Sequence, residues 1–127
     1  MDKRIINAPD APEAAGGYAQ ALLVSGATRQ LFISGQIPVT RDGTVPESFA
    51  EQSRLAWRNV EAQLRAAGMT LDNLVKVTTF LSDRRYAAES RQTRAEILGD
   101  RKVALSVVIA GIFDEAWLLE IEAIAAG

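Results

Sequence analysis

The chain has 127 residues, 48% of them hydrophobic and 24% charged, with 14 Lys and Arg against 16 Asp and Glu. That size and balance fit a single folded domain over residues 1–127, and the formal charge of −2 gives no electrostatic reason to expect a nucleic-acid partner. Cysteine and histidine are both absent, which excludes disulfides, thiolate nucleophiles and thiolate metal sites, together with the commonest general base and zinc ligand; no metal or cofactor is expected, and chemistry falls to carboxylates, hydroxyls, backbone groups, Lys, Arg and water.

Residues 1–17, with Pro9, Pro12, Gly16 and Gly17, read as an irregular arm. The start MDKRIINAPDAP lacks the apolar centre of a secretory signal and no long apolar run follows, so the expected compartment is the cytoplasm, with no membrane contact. YAQALLVS and QLFISG, separated by residues 26–29, suit an antiparallel hairpin, and Asp42-Gly43 marks a tight turn beyond it. SFAEQSRLAWRNVEAQLRAAG is the clearest helix. Phe49, Ser53, Ala56, Trp57, Val60 and Leu64 recur on one face, Ser48 and Glu51 form a capping box, and Gly68 stands at the stop. LVKVTTFLS is a β-branched strand, a second helix runs from about residue 84 to 98 before Gly99, and KVALSVVIAG and AWLLEIEAIA are the last two strands.

This order predicts an α+β fold, a mixed sheet of five to six strands with two helices on one face. In the last strand Leu118, Glu120, Glu122 and Ile124 share one face. An ionised carboxylate in an apolar strand is costly unless it is paired, hydrogen-bonded or open to water. The preceding strand is apolar on both faces, as in sheets covered on both sides. With no third helix to cover the open face, the expected cover is another copy of the chain, and the two glutamates then face a subunit boundary with a wet cleft.

Several stretches together resemble one family. GGYAQAL (16–22) is similar to its Gly-Pro-Tyr-x-Gln-Ala segment and LFISGQIP (31–38) to its Ser-Gly-Gln-Ile-Pro strand end; the helix ending in AAG, the LVKVTTFLSD strand and the closing EIEAIA follow in the same order. The family is YjgF/RidA, the reactive intermediate deaminases, also described as L-PSP endoribonucleases. The resemblance implies a chorismate-mutase-like fold, a homotrimer with sheets around a central axis, and small-molecule clefts between subunits. In the deaminase branch an imino or enamino acid is hydrolysed there to a keto acid and ammonia. By resemblance Glu120 positions the water, while Tyr18, Ser34 and Gly35 line the pocket. Such hydrolysis needs a placed water and a proton shuttle but no covalent nucleophile, so the lack of Cys and His is no obstacle.

One departure stands out. The deaminase branch carries a carboxylate-gripping arginine on the penultimate strand, and the matching position here is Leu105 or Ala104. Neither replaces a bidentate, charge-assisted contact, so the standard substrate 2-aminoacrylate loses its grip. A substitute cation could come from Arg91, Arg94 or Arg101; otherwise the ligand lacks a carboxylate, or binds one through backbone N–H groups near Gly35, with Leu105 favouring an apolar molecule. Ser106 faces either the cleft or the trimer axis. Glu122 is expected in an ion pair, Trp57 in the core, and Phe80 and Thr79 beside the pocket or in the strand core. Three functions remain open: an imine or enamine hydrolase, a non-catalytic small-molecule binding protein and, least supported by these residues, an endoribonuclease.

Overall fold

The helical periodicity of residues 49–66 is realised as α1 (Phe49–Ala66) in a computed structural model that describes residues 1–127. The Ser48 hydroxyl accepts the Glu51 N–H at 3.2 Å, satisfying one of the free donors of the first turn. Just past the last turn, Gly68 takes φ +71°, the left-handed conformation that ends many helices. Phe49, Ala56, Trp57, Val60 and Leu64 form the buried stripe of α1. They pack on the final strand, Leu119–Ala126, which is the sixth in chain order, and on the third, Gln30–Gln36, and share one core cluster with β4 (Leu74–Leu81).

The other elements are β1 (Asp2–Ile6), β2 (Ala21–Ser25), β3 (Gln30–Gln36), α2 (Ala87–Leu98) and β5 (Ala104–Ile109), the final strand thus being β6. β3, β6, β4 and β5 form a mixed sheet in that order; β6 is antiparallel to both neighbours, and β5 is parallel to β4. Parallel neighbours need a crossover, and α2 supplies it. α2 is only weakly amphipathic. It buries Ser90, Thr93 and Leu98, and its Thr93 hydroxyl meets that of Ser53 on α1 at 2.6 Å, so the helices meet through small hydrogen-bonded groups. Arg54 and Glu96 bridge the outer seam at 3.3 Å.

The N-terminal third differs from the sequence reading in two ways. The arm contains a strand, since β1 runs antiparallel to β2 from Asp2↔Ser25 to Ile6↔Ala21. The expected hairpin of β2 with β3 does not form, because β3 pairs with β6 in the other sheet. The reversal at Gly26 (φ +71°) redirects the chain between sheets instead of folding it back on itself. A two-stranded ribbon is marginal alone. This one is fastened by Ala19 N–H to the Val103 carbonyl at 2.9 Å, by Gln20 N–H to the Asn7 side chain at 2.9 Å, and by Lys3, which donates to the carbonyls of Asp72 and Leu74.

Gln52, buried on α1, holds the approach to β6. Its side-chain N–H groups reach the carbonyls of Pro46 at 2.8 Å and Ala116 at 3.0 Å, and its carbonyl accepts the Leu118 N–H at 2.8 Å. Ala116 and Leu118 thereby give backbone groups to a helix side chain, and β6 begins at Leu119, later than the apolar run suggested.

Candidate functional site

Period-2 alternation divides the four-stranded sheet. Leu119, Ile121, Ala123 and Ala125 of β6 and Val77, Thr79 and Leu81 of β4 are buried under the helices. The opposite face carries Glu120, Glu122 and Ile124 of β6, Lys76, Thr78 and Phe80 of β4, Ala104, Ser106 and Val108 of β5, and Phe32 of β3, in line by register. No element of the chain covers it: Phe32 is 69% exposed, and Phe113, in the loop before β6, is 94% exposed.

The sheet is irregular where β3 meets β6. Ile33 pairs with Ala123 but Gln36 with Ile121, leaving Ser34 and Gly35 opposite one residue, a β-bulge. The bulge brings the Gly35 backbone against Glu120: a Cβ at Gly35 would lie 2.0 Å from Glu120 Oε2 and 2.9 Å from its Cγ. With the carboxylate in that position only glycine leaves it room, and a side chain would have to push it aside. Glu120 has no ion pair within the chain. It opens into a depression of about 410 Å³ walled by Phe80, Ala110, Gly111, Ile112 and Phe113.

A second depression, about 260 Å³, lies beside the first on the same face, with Phe32, Ser34, Lys76, Thr78 and Glu122 among its lining residues. Lys76 donates to Ser106 Oγ at 2.8 Å. Glu122 makes no ion pair within the chain. A third, about 60 Å³, lies where Gly17 of the arm crosses Arg91, Arg94, Leu98 and Gly99 of α2 and its cap. Tyr18 follows Gly17 there, half-buried, its hydroxyl accepting the Ala15 N–H at a long 3.4 Å.

The structure thus brings Gly35 and Glu120 together, with Ser34 in the same bulge, and sets Ser106 on the open face. Tyr18 sits elsewhere: Ala19 bridges Ala104 at the start of β5, whereas Glu120 lines up with Phe80 and Val108 near its end. Leu105, expected in the cleft, packs against the helix-side core, because its register partner Val77 belongs to that face. Ala104 is the open-face neighbour. Phe80 walls the Glu120 depression, while Thr79 and Trp57 are core. Lys76 was not singled out from the sequence, although its phase with Thr78 and Phe80 in LVKVTTFLS carries that placement.

The matched pattern spans nearly the whole chain. The family model described as Endoribonuclease L-PSP matches residues 8–127. The chain belongs to the YjgF/RidA family. A RutC family protein of Pyrococcus horikoshii is 36% identical over 125 residues, 97% of each chain. Escherichia coli TdcF, provisionally named a reactive intermediate deaminase, is 32% identical; its serine-bound crystal structure matches with a TM-score of 0.74 over 98% of each chain. YyfB of Yersinia pestis, a Rid-family protein of unknown function, is 25% identical but superimposes with a TM-score of 0.85 over the full length of both chains. Within the Rid family, backbone shape here follows YyfB more closely than the more identical TdcF.

Proposed function

We propose that this Rid-family chain is an imine or enamine hydrolase that works as a homotrimer, its cleft formed where the open sheet face of one copy meets the next. The observation that carries this reading is Glu120, a carboxylate without an ion pair, held against Gly35 at the rim of a depression large enough for a small molecule. In hydrolysis, water adds to the C=N carbon and gives up a proton through Glu120, the nitrogen is protonated, and the carbinolamine collapses to a carbonyl and ammonia. Glu120 returns the proton it took, so the net reaction is imine plus water to carbonyl plus ammonia. That TdcF binds serine, a small carboxylate-bearing molecule, supports a ligand of this size.

Assembly is supported by the open face, with Phe32 and Val108, and by the far end of β5, with Val107 and Ile109 on its other side. Phe32, Val107, Val108 and Ile109 are exposed, and β5 presents apolar side chains on both sides, a large patch for a lone chain. Tyr18, one strand spacing beyond Ala104, and Glu120, in line with Val108, are separated by four residues of β5, about 13 Å of strand, as well as by three strand spacings. One small imino acid cannot touch both within a copy, whereas a neighbouring copy can bring them together. Light scattering at micromolar concentration is expected to give three times the monomer mass of 13.7 kDa; the monomer mass would overturn the assembly.

The deciding experiment is ammonia release from freshly generated imino acids, small and bulky, by wild type and Glu120→Gln. Acceleration that the variant loses supports the hydrolase. A second reading, a binding protein without turnover, is favoured by the open-face position Ala104, which carries no charge, and it follows if no substrate is accelerated by trimeric protein.

A further inference from the structure

Most arginines of this chain are solvated or matched, and Arg101, one of three candidates for a replacement cation, is matched: its Nε contacts Asp72 Oδ1 at 2.7 Å and its Nη1 reaches the Leu98 carbonyl at 3.2 Å. Arg94 is different. It is half-buried on α2, yet the two ion pairs of the chain, Arg54–Glu96 and Arg101–Asp72, leave it out. Burial first, and then the charge of Arg91 one turn earlier, push its pKa down, while Tyr18 acts in the opposite direction; no Asp or Glu contributes. A half-buried cation repelled by a second cation is an unfavourable arrangement that a bound anion would relieve.

The space beside these groups has a definite size. Arg91, Arg94, Ala95, Leu98 and the glycines Gly17 and Gly99 enclose about 60 Å³, the room of about two waters. A planar carboxylate head fits such a volume, and guanidinium forks match it bidentately.

We propose that Arg94, with Arg91 beside it, holds the carboxylate of the ligand in this groove at the foot of Tyr18, so that α2 rather than β5 supplies the cation of the cleft. The assignment rests on the reading that Tyr18 borders that cleft, and it narrows the ligand class to small 2-imino or 2-oxo acids. It also gives a role to the Gly16–Gly17 crossing, which lays the arm along the basic face of α2.

Pyruvate, 2-oxobutyrate, inorganic phosphate and uncharged acetone, titrated into the full-length protein by calorimetry, test it. The expected result is saturable binding of both oxo acids, weaker binding of phosphate and none of acetone. Arg94→Gln is expected to weaken pyruvate about tenfold or more, and Arg94→Lys to restore part of that loss, with thermal midpoint and oligomeric mass unchanged. Arg91→Gln, on an exposed residue, keeps the test open should Arg94→Gln lose the fold, and should weaken pyruvate about threefold. Pyruvate affinity unchanged in a folded Arg94→Gln or in Arg91→Gln overturns the assignment, as does tighter binding of phosphate or no binding of pyruvate by the wild type. Hydrolysis that depends on Glu120 with a KM indifferent to Arg94 would leave the enzyme reading standing and remove this one. Arg94-dependent binding without hydrolysis would do the reverse.

Discussion

The two faces of β6 are made by the same eight residues and have opposite chemistry. On one, Leu119, Ile121, Ala123 and Ala125 are almost wholly buried beneath α1. On the other, Glu120 and Glu122 alternate with them and meet Phe32, Lys76, Thr78 and Ser106, none covered by a helix. The difference teaches that one strand can carry stability and a candidate site side by side because its period of two keeps them from sharing a side chain. Changes on the helix face should unfold the protein, and changes on the open face should alter binding or assembly in a protein that still folds.

The sharpest way to break that contrast is Trp57→Ala. Its ring is 1% exposed at the centre of the helix-side cluster, and truncation should cost about 3–5 kcal/mol in urea unfolding. Next is Gln52→Met, similar in size but unable to satisfy the Pro46, Ala116 and Leu118 backbone groups; about 2–3 kcal/mol is expected. Ser48→Ala removes the α1 cap and should cost about 1 kcal/mol, with ligand affinity unchanged. On the open face, Gly35→Ala should change stability by no more than about 1 kcal/mol, since the displaced Glu120 carboxylate can swing toward water, while turnover falls about tenfold or more. Phe32→Ala should have the smallest effect on unfolding of the single chain, about 0.5 kcal/mol, and should act on oligomeric mass in light scattering. If Phe32→Ala destabilises the fold as much as Trp57→Ala, or Gly35→Ala leaves turnover intact, the division between the faces is wrong.

The elements that could be read from sequence were those whose signals are local. α1 has its cap, its apolar stripe and its glycine stop within twenty residues, and it appears with nearly those limits. Glu120 and Glu122 stood out because charges in an apolar strand demand an account. What was illegible depended on pairing. β5 is apolar in both phases, so alternation could not tell whether Leu105 or Ala104 faces the open side; the register with Val77 and Lys76 decides it. Likewise, residues 26–29 signal a reversal but not the sheet into which it leads, and β1 lies in a Pro-rich stretch whose partner, β2, is fifteen residues downstream. The contact of Gly35 with Glu120 crosses the sheet at a bulge, which no count of residues along one strand reveals.

Gln52 grips only backbone atoms of Pro46, Ala116 and Leu118, and it does so from the interior. The tether is therefore indifferent to which side chains the loop between Ala110 and Glu115 displays, though that loop walls the Glu120 depression. Substitutions in those few positions would reshape the wall of the depression while the glutamine's hold on the backbone of Ala116 and Leu118 stays as it is.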